Sequence, residues 1–384
     1  MSEWRETTLG EVVRLEYGKA LPDKARDGEG SPVLGSNGVV GHHSQALVAG
    51  PGIVVGRKGT AGSVTYVEED FFPIDTTYYA TITTGIGSMR FAQVLLQHAG
   101  LPSVCAQTGV PGLNRDRAYE IPIALPPLDE QRRIVDVVAA VDAQIEALEV
   151  ESAAAWDTYL NATAVLWGTD SGDEAGLTRL SDVMTLDVCR VTLDHATEYR
   201  LAGVLNAGKG IVDKGVLAGA QTEYAAMNRL GDGQVVMRKL TAWEGPIAVV
   251  PKDFDGFVAS NEFPTFSLGQ GVAPTWFAHV CRTPRLWDEM KLRVTGSVQR
   301  RKRLNPDQLL SVELPIPPLE TQRRSAAALD VLLKARADTS VEAARLCAFR
   351  STLLTALLSQ TISIPDSYDA LLADELPALE GAYA

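Results

Sequence analysis

An internal repeat constrains the fold of this chain of 384 residues more than any other feature. Residues 125–133 read LPPLDEQRR and residues 316–324 read IPPLETQRR. With three further matched pairs in the same order, the pattern indicates a tandem duplication. We therefore expect two similar domains related by a pseudo-twofold axis. The further pairs are LGEV at 9–12 with LSDV at 180–183, VVGRKGTA at 54–61 with VVMRKLTA at 235–242, and LNRD at 113–116 with LNPD at 304–307.

Each copy begins with the pattern of short strands and ends with the pattern of a long helix. Runs rich in Val, Ile and Thr, separated by Gly and Asp turns, indicate strands. Shorter helices are expected at 88–99 and 274–290. The predicted fold class is therefore mixed α/β (α+β). The strand runs lie at 52–56, 63–67 and 77–82 in the first copy and at 234–237 and 246–250 in the second.

The two long helices carry the apolar spacing of a coiled coil. Pro-Pro pairs at 126–127 and 317–318 exclude helix before them, and acidic residues follow in the first turn. Apolar residues then recur at steps of three and four, and neither helix can bury such a seam alone. We expect an antiparallel pair forming a spacer, with two independent helices as the alternative. The seam residues are Ile134, Val138, Val141, Ile145 and Leu148 in the first helix and Leu329, Leu332, Leu346 and Leu353 in the second.

These patterns divide the chain into five segments. The globular domains are expected at 1–126 and 169–316, and the helices at 127–168 and 317–360. Residues 361–384 form an acidic tail, which either lies over the N-terminal domain or is a disordered end.

Charge and motifs limit the functions open to the chain. The net charge of −13 is unlike that of a typical DNA-binding protein, so any DNA surface must be a local patch. The acid is concentrated in residues 121–168, with 8 acidic and 2 basic side chains, whereas residues 169–312 carry 17 of each. No nucleotide-binding glycine loop, HExxH or GxSxG motif is present, so no catalysis is expected.

Cysteine and histidine usage points to a cytoplasmic chain without a metal. The four cysteines are far apart and form no CxxC, which favours reduced thiols. The five histidines show no ligand spacing with them. No run of about 18 apolar residues and no signal peptide is present. We expect no metal and no cofactor in this chain.

The predicted architecture has the dimensions of a ruler for DNA. About 30 helical residues at roughly 1.5 Å each span about 45 Å. One turn of B-DNA is about 34–36 Å. A rod of that length with a different reader at each end would contact an asymmetric, split sequence with an unread spacer.

The matched blocks resemble the specificity subunit of a Type I restriction–modification system. The family's characteristic helix start is ALPPLDEQRRI at 124–134, and its Gly-Arg-Lys-Gly turn is GRKGTAG at 56–62. Its Thr-Gly step stands at 108–109 and again at 295–296. The likeness extends from residue 4 to 360. The second copy departs from the pattern in lacking the glycines of the turn and in having Thr321 where the first has Glu130.

The resemblance implies two target-recognition domains in a non-catalytic subunit that directs DNA methylation and restriction in phage defence. It implies double-stranded DNA, two copies of an adenine-N6 methyltransferase and up to two motor–nuclease subunits as partners. S-adenosylmethionine would be bound by the methyltransferase, which would flip the target adenine. The alternative is a protein-interaction scaffold that has lost its own DNA readout.

Candidate DNA contacts in the first copy lie on loops and one strand. Bases are read by polar and basic side chains, and phosphates are held by basic groups and backbone amides. Arg57, Lys58 and Thr60 lie on the glycine-rich turn, which is otherwise an ordinary hairpin tip. Thr77 and Tyr78 either line the groove or are plain strand residues. The remaining candidates, all in loops, are Asn37, Gln107, Thr108, Asn114 and Arg115.

The second copy contains the densest basic cluster of the chain, at 300–303. A run of four cations is usually a solvated face, but this one follows the repeated Thr-Gly step. Asn261 and Glu262 have the chemistry to pair with the edges of adenine and cytosine, respectively, and an ordinary turn is the alternative. The candidates in this copy are Arg238, Lys239, Trp243, Asn261, Thr295, Ser297, Gln299, Arg300, Arg301, Lys302 and Arg303.

The helices are the expected partner-binding elements. Polar residues at both helix starts, together with the seam, are assigned to partner binding and to the spacer. The polar ones are Gln131, Arg132, Gln322 and Arg323.

Overall fold

The computed structural model describes residues 4–106, 112–167, 176–296 and 302–370. The chain divides into two compact units. The first unit is Met1–Leu148 together with Glu342–Ala384, and the second is Glu149–Val341. Each long helix therefore contributes one end to each unit.

The first unit is built mainly from short antiparallel strands. Its strands are β1 (Arg5–Thr8), β2 (Val13–Tyr17), β3 (Ser31–Gly35), β4 (Gly38–His43), β5 (Gly52–Gly56), β6 (Val64–Val67), β7 (Phe72–Pro73), β8 (Thr77–Ile82), β9 (Cys105–Ala106), β10 (Gly112–Leu113) and β11 (Pro122–Leu125). Its helices are α1 (Leu9–Val12), α2 (Met89–His98), α3 (Arg115–Tyr119) and the first part of α4 (Leu128–Ala162).

The second unit has a similar order of elements. Its strands are β12 (Leu177–Arg179), β13 (Met184–Leu186), β14 (Cys189–Thr192), β15 (Glu198–Val204), β16 (Ile211–Ala218), β17 (Ala226–Arg229), β18 (Val235–Met237), β19 (Ile247–Val249), β20 (Val258–Ala259), β21 (Thr265–Leu268) and β22 (Glu313–Pro315). Its helices are α5 (Leu180–Val183), α6 (Pro274–Val280), α7 (Pro284–Arg293), α8 (Pro306–Leu310) and the first part of α9 (Leu319–Leu358).

A four-stranded antiparallel sheet is common to both units. Its strand order is β2-β8-β5-β6 in the first unit and β13-β21-β18-β19 in the second. A two-stranded ladder, β1 with β11 or β12 with β22, precedes each long helix. The expectation of two similar folds is confirmed by this shared framework.

A second sheet distinguishes the two units. It is three-stranded in the first unit, in the order β4-β3-β7, and five-stranded in the second, in the order β14-β17-β20-β15-β16. The two copies therefore share the four-stranded sheet and the starts of the long helices, and they differ in the second sheet.

The expected helix at 274–290 is wrong in one respect, because the structure has two helices there. Pro284 is the first residue of α7, and Thr283 before it is extended, with φ −97° and ψ 138°. Proline lacks an amide hydrogen and disfavours helical backbone in the residue before it. The other short helix, expected at 88–99, is confirmed as α2.

The predicted antiparallel pairing of the long helices is present within each unit. In the first unit Arg350 of α9 forms an ion pair with Asp142 of α4, and Ile134 and Val138 share a core with Leu354. Later residues of α4 contact earlier residues of α9, so the two helices run antiparallel.

The second unit continues the same pairing. Ser152 and Ser340 are joined by a 3.0 Å hydrogen bond. The guanidinium of Arg336 on α9 lies 4.4 Å from the ring centre of Trp156 on α4, so a cation–π contact joins the two helices here. The seam residue Leu329 is buried in this unit and Leu332 packs at the edge of the same core.

The described part of the acidic tail lies on the first unit. Arg133 of α4 forms ion pairs of 2.6 Å with both Asp366 and Asp369. The Arg133 guanidinium holds the pKa of Asp369 below its ordinary value of 3.8. Of the two alternatives for the tail, packing on this unit is correct for residues 361–370, and residues 371–384 lie outside the described part.

Replacing Arg133 with Ala should release residues 363–370 from α4. We expect faster amide hydrogen exchange there at pH 7, with the exchange of β5 unchanged. Because the pKa of Asp369 is lowered in the folded state, its contribution is present above the ordinary carboxyl pKa and is lost as the pH falls through the folded value. Exchange that is unaltered in the variant, or protection that grows on acidification, would contradict this assignment.

Candidate nucleic-acid interface

A glutamine at the start of each long helix ties the helix to its own unit. Gln131 donates to the carbonyls of Gly85 and Pro126 at 2.7 and 2.9 Å, and accepts from the amide of Gly87 at 2.9 Å. Its side chain is buried, so it is not available to a partner protein. The sequence-based assignment of Gln131 to partner binding is therefore corrected.

The equivalent glutamine of the second copy makes the same three hydrogen bonds. Gln322 donates to the carbonyls of Gly271 and Pro317 at 2.9 and 2.8 Å, and accepts from the amide of Ala273 at 2.8 Å. It is fully buried, and the same correction applies. The neighbouring Arg132 and Arg323 are exposed.

The turn after β5 presents the first group of candidate DNA contacts. Lys58 and Thr60 are exposed, and Arg57 is half-buried. Gly59 adopts a φ of +79°, a conformation that favours glycine. Thr60 lies beside Asn37 of the β3–β4 turn, their Oγ1 and Oδ1 atoms 3.5 Å apart. The structure thus brings two separately predicted turns together.

Arg57 and Arg115 converge on an aromatic ring that the sequence reasoning missed. Their guanidinium carbons lie 5.3 and 5.0 Å from the ring centre of Tyr17, the last residue of β2. Arg115 also donates to the carbonyl of Leu15 at 3.3 Å. Tyr17 is half exposed. Nothing in the local sequence around Tyr17 signalled this role, because the ring acquires its neighbours only in the folded unit.

Thr77 and Tyr78 lie inside the first unit, which is the alternative that the sequence left open. Thr77 is fully buried and donates to the carbonyl of Ile74 at 2.7 Å. Burial, followed by the neighbouring Tyr17, raises the pKa of Tyr78 to about 12. Neither side chain reaches the surface of this unit.

The loop before α3 is described only in part. Asn114 caps this helix, its side chain accepting from the amide of Arg117 at 3.0 Å, and remains exposed. Gln107 and Thr108 lie outside the described residues.

Arg238 of the second unit stands in the turn equivalent to that of Arg57 but is surrounded by acceptors. It donates to Asn206 at 2.6 Å and to Thr241 at 2.7 Å, and it lies 3.4 Å from Glu244. Thr241 takes the left-handed conformation, with φ 56°. The arginine therefore fixes a turn from which the glycines are missing.

The other candidates of the second unit surround this turn. Arg303 is exposed and pairs with Glu262 at 3.2 Å, and its backbone forms two 2.9 Å hydrogen bonds with Thr295. Asn261 is exposed and accepts from Arg190 at 3.3 Å. Arg190 was absent from the sequence-based set of DNA contacts, since its pairing with Asn261 joins residues 71 positions apart in the chain.

The remaining candidates here are less exposed or not described. Lys239, Trp243 and Lys302 are half-buried. The indole Nε1 of Trp243 is buried, with no hydrogen-bond partner among the described residues. Ser297, Gln299, Arg300 and Arg301 lie outside the described ranges.

Two further features bear on the site. Within residues 4–106, 112–167, 176–296 and 302–370, no group of His, Cys, Asp and Glu side chains is arranged to hold a metal ion. In the same part of the chain, none of the helices has the length and apolar character needed to span a membrane.

Comparison with known proteins agrees with the fold. Residues 1–154 match the family model of the Type I restriction modification DNA specificity domain. No curated protein sequence is significantly similar to the chain. The resemblance drawn from the motifs is confirmed for residues 1–154, which are similar to the DNA specificity domain of Type I systems. The matched model describes a domain that confers DNA specificity.

Solved structures show the same fold. The Type I restriction–modification S subunit from M. genitalium has a TM-score of 0.55 and 16% identity, over 92% of this chain and 96% of that one. A chain from a structural study of complex assembly and conformational transition of the type I system has a TM-score of 0.52 and 17% identity, over 93% and 98% of the two chains.

Proposed function

We propose that the chain recognises a bipartite, asymmetric DNA target with a fixed spacer and directs partner subunits to it. The observation that carries this proposal is the duplication of one sheet-and-helix framework with two different second sheets. A shared framework supports equivalent docking of the two units on DNA. The different sheets support different half-sites.

The turns after β5 and β18 differ in their side-chain contacts, which supports different DNA-contacting residues in the two units. Arg57 is free of carboxylate partners among the described residues, whereas Arg238 is held by Glu244. A free guanidinium can bind phosphate or a guanine edge, whereas one whose Nη2 already donates to Asn206 and Thr241 has fewer donors left for DNA. The two half-sites should therefore be contacted through different sets of residues.

The long helices support a role in spacing and in partner binding. Their predicted seam is used for pairing within each unit, which leaves other side chains for partners. Val150, Val331, Val341 and Phe349 are about half exposed or more. We propose that two adenine-N6 methyltransferase subunits bind these helices, with up to two motor–nuclease subunits joining them in the cytoplasm. S-adenosylmethionine would be bound by the methyltransferase.

Selection of duplexes from a random pool by the chain in complex with its methyltransferase tests the proposal. We expect enrichment of one split motif with unequal halves, bound with an affinity that falls steeply with salt. Absent or salt-insensitive binding would instead favour the scaffold, whose globular parts do not read DNA. The methyltransferase without this chain is the matched control and should enrich no motif.

A further inference from the structure

Tyr17 joins two cations that arrive from different parts of the first unit. It ends β2, Arg57 follows β5, and Arg115 is the first residue of α3. Both guanidinium carbons lie within 5.3 Å of the centre of its ring. The ring is 50% exposed although it also packs on buried Tyr78, with the ring centres 5.1 Å apart. The arrangement therefore places two cations at the surface.

Both arginines retain unused hydrogen-bonding capacity. The Nε atoms of Arg57 and Arg115 are buried and have no acceptor among the described residues. Neither side chain forms an ion pair with a carboxylate in that part of the chain, although Arg115 binds one backbone carbonyl. Two guanidinium groups that share one ring and have unmatched Nε donors favour an anion, which neutralises their positive charges. A phosphodiester supplies both the negative charge and the acceptor oxygens that fit a guanidinium.

We propose that Tyr17 is a positioning residue that holds Arg57 and Arg115 as a paired contact for the phosphate backbone of DNA. This inference rests on the proposed function. The aromatic face restricts both long side chains before DNA arrives, so less freedom is lost on binding. A guanine edge is the less favoured ligand, because it is neutral and leaves the two charges uncompensated.

The second unit shows that the pair is not simply part of the repeated framework. The equivalent Arg238 is bound by Asn206, Thr241 and Glu244 rather than by a ring. In that unit, acceptors within the protein bind the guanidinium of the arginine in this turn. In the first unit no described acceptor takes that place, which supports a role outside the fold.

The test measures binding of the methyltransferase complex to its selected target over a range of salt concentrations. Tyr17→Leu should weaken binding about tenfold, because two long side chains that the ring held beforehand must then be ordered on binding. The slope of log affinity against log salt should become shallower by about 0.9 for each phosphate that the variant no longer neutralises. Tyr17→Phe keeps the ring and should bind like the parent protein. Tyr224→Leu, at another tyrosine with half of its surface exposed, is the matched control and should also change neither quantity.

A double-mutant comparison distinguishes positioning from direct contact. Arg57→Ala with Arg115→Ala should flatten the salt slope in the same way, and adding Tyr17→Leu should cause little further loss of affinity. Weaker binding with an unchanged slope, or a fully additive loss, would mean that Tyr17 acts on its own and would overturn the proposal.

Unfolding of a variant and failure of the unmodified complex to select DNA have separate meanings. Tyr17→Met, which preserves apolar packing on Tyr78, replaces the Leu variant if that variant unfolds. Unfolding of both would make the ring a structural residue and would also overturn the proposal. Failure of the unmodified complex to select any DNA would instead contradict the proposed function itself.

Discussion

Adding seven residues to each long helix should lengthen the unread spacer of the DNA target by about three base pairs and leave both half-sites unchanged. Seven residues preserve the apolar seam and add about 10.5 Å of helix. The rise of B-DNA is about 3.4 Å per base pair. Because α4 and α9 pair antiparallel, the insertions belong at matched levels, between Leu148 and Glu149 and between Ala343 and Ala344.

Sequencing of methylated DNA from cells carrying the variant measures the spacer directly. Three base pairs also rotate the duplex by about 100°, since a turn takes about 10–10.5 base pairs, so we expect weaker modification at the new spacing. An insertion in α4 alone is the matched control and should abolish modification, because the seam loses its register. A variant that modifies the original spacing would show that the helices do not set it.

Replacing Gln131 or Gln322 with Leu should destabilise the unit that contains it by about 2–4 kcal/mol. Each side chain makes three hydrogen bonds to backbone groups, several of them buried. A buried polar group left without a partner costs about 1–3 kcal/mol. A loss of this size lowers Tm by roughly 5–15 °C for a unit of this length.

Thermal unfolding followed by calorimetry checks this expectation. Arg323→Ala alters the exposed residue next to Gln322 and should change stability by less than about 0.5 kcal/mol. Because the two glutamines make equivalent contacts, their variants should be destabilised by similar amounts. Destabilisation of one unit only, or of neither, would mean that water replaces the missing amide.

The repeat, the helix starts and the seam could be predicted because they depend on local sequence. Proline marks where α4 and α9 cannot extend, and the spacing of Ile134, Val138 and Ile145 follows the helical period whatever surrounds it. Pro284 carried the same kind of local signal for the break between α6 and α7. The repeat, the helix starts and the seam formed the correct part of the fold prediction, whereas the break at Pro284 was missed.

The contacts of the candidate site could not be predicted in this way, because they join residues far apart in the chain. Gln131 was identified from the repeated motif, but its acceptor at Gly85 lies 46 positions away. Tyr17 meets Arg115 only after β2, β5 and α3 have assembled. Likewise, nothing local distinguishes Arg57, which has no described acid beside it, from Arg238, which has one.

The division of each long helix between the two units has a consequence for the order of events during synthesis. The core of the first unit uses Leu354, Leu357 and Leu358, which lie close to the C-terminal end of the chain. These side chains leave the ribosome only after the whole second unit has emerged. Part of the apolar surface of the first unit should therefore stay uncovered until the end of α9 has been translated.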